Sequence, residues 1–246
     1  MNKPLVSIIT VVRNGEDCIE ATIKSIVSQS YPSIEYVVID GLSTDNTSKI
    51  LDRYKDQIAY YISEPDKGIA DAWNKGIKAC TGDIIGILNA GDYLPTDYIT
   101  TVVENISTDT AVLCYGNTKI VDDTGATTKS ITGRFNPKNL ANGVGFLHPG
   151  CFATRKAYDL VGNFKLSYRL AMDCDWIFRC YRAKVEFKKL EIAALMLGGG
   201  MSHQSNLAAY GEYLQSMRDN GFPPSAIYTS MLNIAVRGFI KSFANV

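Results

Sequence analysis

LVSIITVVRNGEDCIEATIKSIVSQSYPSIEYVVIDG, residues 5–41, changes its hydrophobic period twice. Leu5 to Val12 reads as a strand by its length and Val/Ile content. Cys18, Ile19, Thr22, Ile23, Ile26 and Val27 then recur at helical spacing, and Ile34 to Ile39 returns to strand composition. A strand, a helix and a second strand in one short stretch predict a parallel βαβ unit with a right-handed crossover.

The alternation continues outward. Ala59 to Ser63 and Asp83 to Leu88 read as further strands. Ile50, Leu51, Tyr54 and Ile58 mark a helix between the second and third, and Ile69 to Cys80 places Ile69, Ala72, Trp73, Gly76, Ile77 and Cys80 on one helical face. The fold class expected is α/β, a mostly parallel sheet with covering helices. After Pro95 the pattern becomes α+β. A helix over Thr96 to Ile106 precedes a strand over Ala111 to Tyr115 and a hairpin turning at Asp123-Thr124-Gly125. Ala171 to Arg182 reads as a helix with Trp176, Ile177, Cys180 and Tyr181 inward, followed by an edge strand, VEFKKL, and a flexible LGGGMSH. From Gln204 the chain looks helical to its end, broken at Gly221-Phe222-Pro223-Pro224.

Composition removes whole classes of function. The 246 residues carry 25 Lys plus Arg and 25 Asp plus Glu, so no bulk charge favours nucleic acid. Six cysteines at irregular spacing and two histidines make no zinc pattern, and free thiols in a reducing cytosol are expected. The N-terminus has no h-region with a cleavage site, and no run of 18 apolar residues occurs, so neither secretion nor a membrane span is expected.

Open α/β sheets bind ligands outside the carboxyl ends of their strands. Four strands stop there on polar residues: Arg13-Asn14-Gly15-Glu16, Asp40-Gly41, Glu64-Pro65-Asp66-Lys67-Gly68 and Asn89-Ala90-Gly91-Asp92. Each loop alone has a structural explanation in helix dipoles and tight turns. Their convergence on one rim points to a binding crevice.

PLVSIITVVRNGEDCIEATIKSIVSQSYPSIEYVVIDGLSTDNT, SEPDKGIADAWNKGI, TGDIIGILNAGD and MDCDWIFR together resemble the family-2 inverting glycosyltransferases of GT-A fold, of the kind that builds bacterial surface polysaccharides. The resemblance is dense over the first 100 or so residues and thinner to about Ser202. It implies a GT-A domain over 1–203, with a nucleotide-sugar-binding half (1–95) and an acceptor-side half (96–203). Residues 204–246 would form a C-terminal helical extension. Its partners would be a nucleotide-sugar donor and a glycan or lipid-linked sugar acceptor, with a divalent metal, Mg²⁺ or Mn²⁺, as cofactor.

Carried onto matching positions, the resemblance implies that Thr10, Asn14 and Glu16 line the nucleotide pocket and that Asp40 accepts a hydrogen bond from base or ribose. Asp66, Lys67 and Asp71 fall in a loop over the nucleotide, where an ammonium could neutralise diphosphate. The family's acidic D-x-D element is altered here. Asp92 remains, with Asn89 and Gly91 where acids are usual, so metal ligation is expected from Asp92, through water with Asn89, and from His203 if the glycines fold it over the donor. In AMDCDWIFR the spacing from Asp173 to Arg179 matches E-D-x-D-x-x-x-R with Met172 replacing the first acid, which makes Asp173 the general base and Asp175 its support. His148 lies in a block resembling the acceptor-side wall.

The stripe Ile227, Met231, Ile234, Ala235, Phe239 and Phe243, with Arg237 and Lys241 nearby, suits core packing, a homodimer or a peripheral membrane contact at the cytoplasmic face. Two other function classes stay open. A sugar nucleotidyltransferase would be expected to carry a Gly- and basic-rich N-terminal loop, where VVRNGEDCIE offers one arginine. A non-catalytic glycan-binding or scaffold protein would fit Asn89, Gly91 and Met172 but not the retained Asp40, Asp92 and Asp173.

Overall fold

The chain alternates strand and helix from Val6, as its hydrophobic period dictates. The computed structural model describes residues 3–199 and 206–244. β1 (Val6–Val12), α1 (Ile19–Val27), β2 (Ile34–Asp40), α2 (Thr47–Asp52), β3 (Tyr60–Ser63), α3 (Ile69–Ala79) and β4 (Ile84–Ile87) follow in order. β1 pairs in parallel with β2 and β4, and β2 with β3.

The second half adds β5 (Asp92–Tyr93), α4 (Tyr98–Asn105), β6 (Val112–Val121), β7 (Thr127–Ile131), β8 (Phe152–Thr154), α5 (Arg155–Val161), α6 (Met172–Arg182), β9 (Glu186–Leu197), α7 (Asn206–Asp219) and α8 (Pro224–Ala244). The described strands form one sheet in the order β3-β2-β1-β4-β8-β6-β9-β5, with β7 paired to β6. β8 is antiparallel to both β4 and β6, so β6 again runs with the first four strands, as does β9. The sheet is therefore mixed: β1 to β4, from the βα-alternating half, pair in parallel, while β5, β7 and β8 pair antiparallel to their neighbours.

Helices cover both faces. Ile19, Ile23 and Ile26 of α1, Leu51 of α2 and Tyr98, Ile99 and Val102 of α4 share one core with Ile8, Val12 and Val38. Trp73 and Ile77 of α3, Tyr158 of α5, and Trp176 and Phe178 of α6 share the other with Ile9, Val37 and Ile85. α3 lies close to β1 because Gly76 has no side chain; a Cβ there would sit 2.3 Å from Ile9 Cγ2.

Two expectations change. The strand expected over Val185 to Leu190 continues to Leu197, with β6 along one side and β5 covering its far end at Leu195 and Met196. Only its first part is an edge. The C-terminal residues are helical as expected, yet Tyr213, Met217 and Ile227 are buried in the same core as Trp73 and Trp176, so α7 and the start of α8 are continuous with the sheet's covering layer. Along the expected stripe, Ile227 is buried and Met231 is 48% exposed; the side chains of Ala235, Arg237, Phe239, Lys241 and Phe243 lie outside those described. No helix among the described residues is long and apolar enough to cross a membrane.

Candidate active site

At the rim, the loop after β1 is braided to the loop after β2. Asn14, at φ 51°, accepts from the Thr44 amide through Oδ1 and donates its own amide to Ser43 Oγ. Glu16 accepts from the amide and side chain of Asn46, and Asp45 accepts from the Glu16 amide. Asn14 and Glu16 thus shape the rim from within. Thr10 is buried: strand alternation puts it on the Ile8 and Val12 face at 0% exposure, two residues short of the end of β1.

Asp40 closes β2 at 1% exposure. Its Oδ1 accepts from the Ser43 amide at 3.0 Å and Ser43 Oγ at 2.5 Å, and its Oδ2 accepts from Ser63 Oγ at 2.6 Å. Neither serine drew attention in the sequence, since a lone Ser in a turn carries no pattern. Gly41 beside it leaves room that a Cβ would take from Asp66 Oδ2 and Arg13. Burial and the Asp40 charge push the Tyr61 phenol up.

Past β3, Asp66 accepts from the Gly68 amide and Asp71 from the Lys67 amide, so both carboxylates fold the loop. Lys75 tightens it through Glu64 at 2.8 Å and the Pro65 carbonyl at 2.7 Å. The Lys67 ammonium is exposed and has no partner among the described residues, which leaves it free for an anion.

The segment ending β4 straddles the sheet. Its backbone is bolted down by Ala90 N to Val11 O and Gly91 N to Thr22 Oγ1. Asn89 turns to the α3 side, where Oδ1 accepts from Trp73 Nε1 at 3.0 Å. Asp92 lies on the α1 side near Cys18, whose thiol is pushed up by burial and then by Asp17 and Asp92. Burial pushes the Asp92 carboxyl up to about 8, partly offset by the Leu197 amide, and no cationic side chain faces it among the described residues.

Asp173 lies in the first turn of α6, half-buried, and lines a narrow cavity with His148, Cys151, Tyr158, Phe164 and Trp176. His148 stacks on Trp73 at 4.5 Å and 13°, and its Nδ1 is shielded without a partner. Burial lowers the His148 pKa against the upward pull of Asp173. Trp73 thereby joins the end of β4 to the wall around Asp173, a role hidden in the sequence because its helical spacing reads as core.

Asp175 also departs from expectation. It is fully buried, its Oδ1 taken by Lys165 at 3.1 Å and Asn220 at 3.0 Å, and its Oδ2 by Arg179 at 2.8 Å. Two residues along a helix rotate a side chain by about 200°, so Asp175 points away from the face that carries Asp173. Arg179 goes on to the Val161 and Asn163 carbonyls, locking α5 to α6. Asp175 is an anchor of α6, with no opening toward an acceptor.

Asp92 offers a divalent cation a buried carboxyl with no protein cation facing it among the described residues, and a cation bound there would displace the proton that burial holds on it. One such ligand suits Mg²⁺ or Mn²⁺, which keep waters and take phosphate oxygens. No group of three or more His, Cys, Asp or Glu that could hold a metal by itself occurs among the described residues, and His203 lies outside them.

Residues 7–160 match the model of the family described as Glycosyl transferase family 2. A UDP-Glc:alpha-D-GlcNAc-diphosphoundecaprenol beta-1,3-glucosyltransferase of Escherichia coli is 36% identical over 120 residues, 48% of this chain and 48% of that protein. The chain spans about half the length of the curated relatives it matches. Among solved structures, S. aureus TarS in complex with UDP-GlcNAc superposes with a TM-score of 0.68 at 17% identity, over 88% of this chain and 65% of TarS. The mannosyltransferase PcManGT from Pyrobaculum calidifontis, in complex with GDP-Man and Mn²⁺, gives 0.64 at 17% identity, over 97% and 76%. At these identities the likeness establishes the fold, which is GT-A.

Proposed function

Since the chain belongs to glycosyl transferase family 2, we propose that it is an inverting enzyme moving a sugar from a nucleotide-sugar donor to a hydroxyl of a glycan or lipid-linked glycan. The observation that carries this reading is the placement of Asp173, a half-buried carboxylate on a narrow cavity whose His148 wall stacks on Trp73, which in turn hydrogen-bonds Asn89 at the end of β4. A base on one wall and a diphosphate site at the strand ends are the two parts that a single displacement needs.

The base or ribose of the donor meets the Asp40, Ser43 and Ser63 cluster, and Lys67 reaches the diphosphate. Asp92 is the residue that would hold Mg²⁺ or Mn²⁺, which when bound neutralises charge on the diphosphate. Asp173 takes the proton of the acceptor hydroxyl as that oxygen bonds to the anomeric carbon and the bond to the diphosphate breaks. The attack comes from the face opposite the leaving group, so the anomeric configuration inverts.

An acceptor on a lipid carrier would bring the chain to the cytoplasmic face of a membrane. The start of α8 offers a peripheral contact, with Tyr228 70%, Met231 48% and Leu232 64% exposed. The same face could serve a second copy, and vesicle flotation against sedimentation in solution separates the two.

A thermal-shift panel of UDP-, GDP- and dTDP-sugars with and without Mn²⁺ tests the reading, since ligand binding raises stability by mass action. Free nucleoside diphosphate released only with acceptor supports the transferase. Pyrophosphate released from a nucleoside triphosphate marks a nucleotidyltransferase, and donor binding without transfer to any acceptor marks a scaffold.

A further inference from the structure

We propose that a groove between α6, α8 and the 3₁₀ turn Pro137–Asn142 seats the phosphate headgroup of an anionic lipid and docks the chain on a membrane surface. The inference deepens the lipid-linked arm of the proposed function by assigning it a site. The groove has a volume of about 430 Å³, within the range of small-ligand sites. Lys138, Tyr181, Arg182, Phe222, Ser225 and Thr229 are among the residues that line it, and no acid is.

Its floor is fixed. Tyr181 and Phe222 stack at 6.4 Å and 21°, and Phe222 packs at 4.8 Å on Phe178, which is fully buried. The Arg182 guanidinium lies over the Phe222 ring at 5.1 Å, donating Nε to the Asn220 carbonyl at 2.8 Å and Nη2 to the Gly221 carbonyl. Carbonyls and an aromatic ring hold that guanidinium without cancelling its charge. The Lys138 ammonium has no hydrogen bond or ion pair among the described residues, and no ion pair there includes Arg182. Acids and bases balance at 25 each over the whole chain, so an acid-free basic groove is a local feature that bulk charge does not explain.

The exposed side chains of α8 select the source of the phosphate. Leu232 follows Ser225 and Thr229 at helical spacing, so it continues their face of the helix out of the groove. Tyr228, Met231 and Leu232 share a face at i, i+3 and i+4 and are 70%, 48% and 64% exposed. An apolar turn beside a cationic groove suits an interface of lipid and water: the apolar side chains enter the acyl boundary while the cations meet phosphate. A soluble phosphate would fill the groove and leave the apolar turn bare. A second copy meeting this face across a two-fold axis would cover the turn but bring two more cations and no acid to the groove. A lipid headgroup accounts for both parts. Arg182 is nine residues along α6 from Asp173, about 13 Å of helix, and no residue lines both this groove and the cavity of Asp173.

Flotation with vesicles of phosphatidylcholine alone, and of phosphatidylcholine with phosphatidylglycerol, tests the proposal without any turnover, so its failure is distinct from failure of the transferase reading. The wild type should float with the anionic vesicles and not with the neutral ones, and raised salt should release it. Lys138→Ala should lower the partition about fivefold, the share of one cation near an anionic surface, and Lys138→Glu should lower it further. Leu232→Ser should lower it about tenfold through lost apolar contact. Both side chains are exposed, so the variants should melt as the wild type does and keep its thermal shift with the donor. Equal flotation with the two vesicles, none with either, or wild-type flotation by Lys138→Glu or Leu232→Ser overturns the assignment. Inorganic phosphate that stabilises the wild type but not Lys138→Ala, without flotation, marks a site for free phosphate and overturns it. Wild-type dimers that Leu232→Ser converts to monomers, again without flotation, mark a contact between copies and overturn it as well.

Discussion

Glu212 Oε2 accepts the Ala171 amide at 3.0 Å, and the Leu170 and Arg169 amides at 2.7 and 2.9 Å. Ala171 is the residue before α6, so a carboxylate on α7 satisfies the backbone donors just ahead of Asp173. Glu212→Ala should lower stability by about 1–3 kcal/mol, the cost of leaving such donors unpaired, and reduce turnover more than donor affinity. Urea denaturation beside calorimetry checks it; wild-type stability and turnover would show that α6 holds its start without α7.

Asp40 orients two hydroxyls as well as offering its own oxygens. Asp40→Ala removes the acceptor for Ser43 and Ser63 together, and nucleotide affinity should fall by about 1–3 kcal/mol. Ser63→Ala, which loses one hydroxyl and leaves the Ser43 bonds, should cost less. Unchanged nucleotide affinity in Asp40→Ala would remove the cluster from the pocket.

Asp92 is the test of metal use. Asp92→Ala should abolish the divalent-ion dependence of donor binding together with turnover. Should the wild type turn over fully in excess EDTA, Lys67 and other cations carry the diphosphate instead, and Lys67→Ala becomes the more damaging change.

His148 sets a pH dependence whose sign follows from its environment. Burial holds its folded pKa below the usual 6.5, against a smaller upward pull from Asp173. Below about 6.5 the unfolded chain binds a proton that the folded chain resists, so the stability that this residue contributes is full above that pH and is lost as pH falls. His148→Phe keeps a ring for Trp73 and removes the titration. The unfolding free energy between pH 7 and pH 5 should then fall less steeply than in the wild type, by up to about 1.4 kcal/mol per pH unit. Parallel slopes in the two proteins would exclude His148 as the source.

The first four strands and α3 were legible because β-branched runs and helical spacing encode their burial directly. β8 was not: Phe152 to Thr154 is too short to show a period, and it is defined by its pairing to β4 and β6. The extension of β9 to Leu197 was hidden for a related reason, since EIAALML reads equally as helix or strand until β5 and β6 flank it. At the site, motif positions gave Asp40, Asp92 and Asp173 as candidates but could not say which polar side chains are consumed by the fold. Asn14, Glu16, Asp66 and Asp71 accept backbone amides in neighbouring turns, contacts that depend on loop geometry and leave no spacing in the sequence. Ser63 and Trp73 gain their roles only through residues 23 and 16 positions away.

Asp173 and Asp175 separate chemistry from stability within one helical turn. Asp173 lines the cavity and its hydrogen bonds among the described residues are to the neighbouring Cys174, so Asp173→Asn should leave fold and donor affinity nearly intact. Turnover should fall by roughly a hundredfold to ten-thousandfold, the range for loss of a general base. Asp175→Asn should behave in the opposite way. Its buried carboxylate balances Arg179 and Lys165, and breaking a buried pair by removing one partner costs about 3–5 kcal/mol, here reduced because Lys165 is 42% exposed. The Asp175 variant should thus unfold at lower denaturant while retaining much of its turnover where it stays folded. NMR of the product should show an anomeric configuration opposite to the donor's. Near wild-type turnover in Asp173→Asn, or a product of retained configuration, would rule out a single displacement with this base, and a large catalytic loss in a stably folded Asp175→Asn would move the base two residues along the helix.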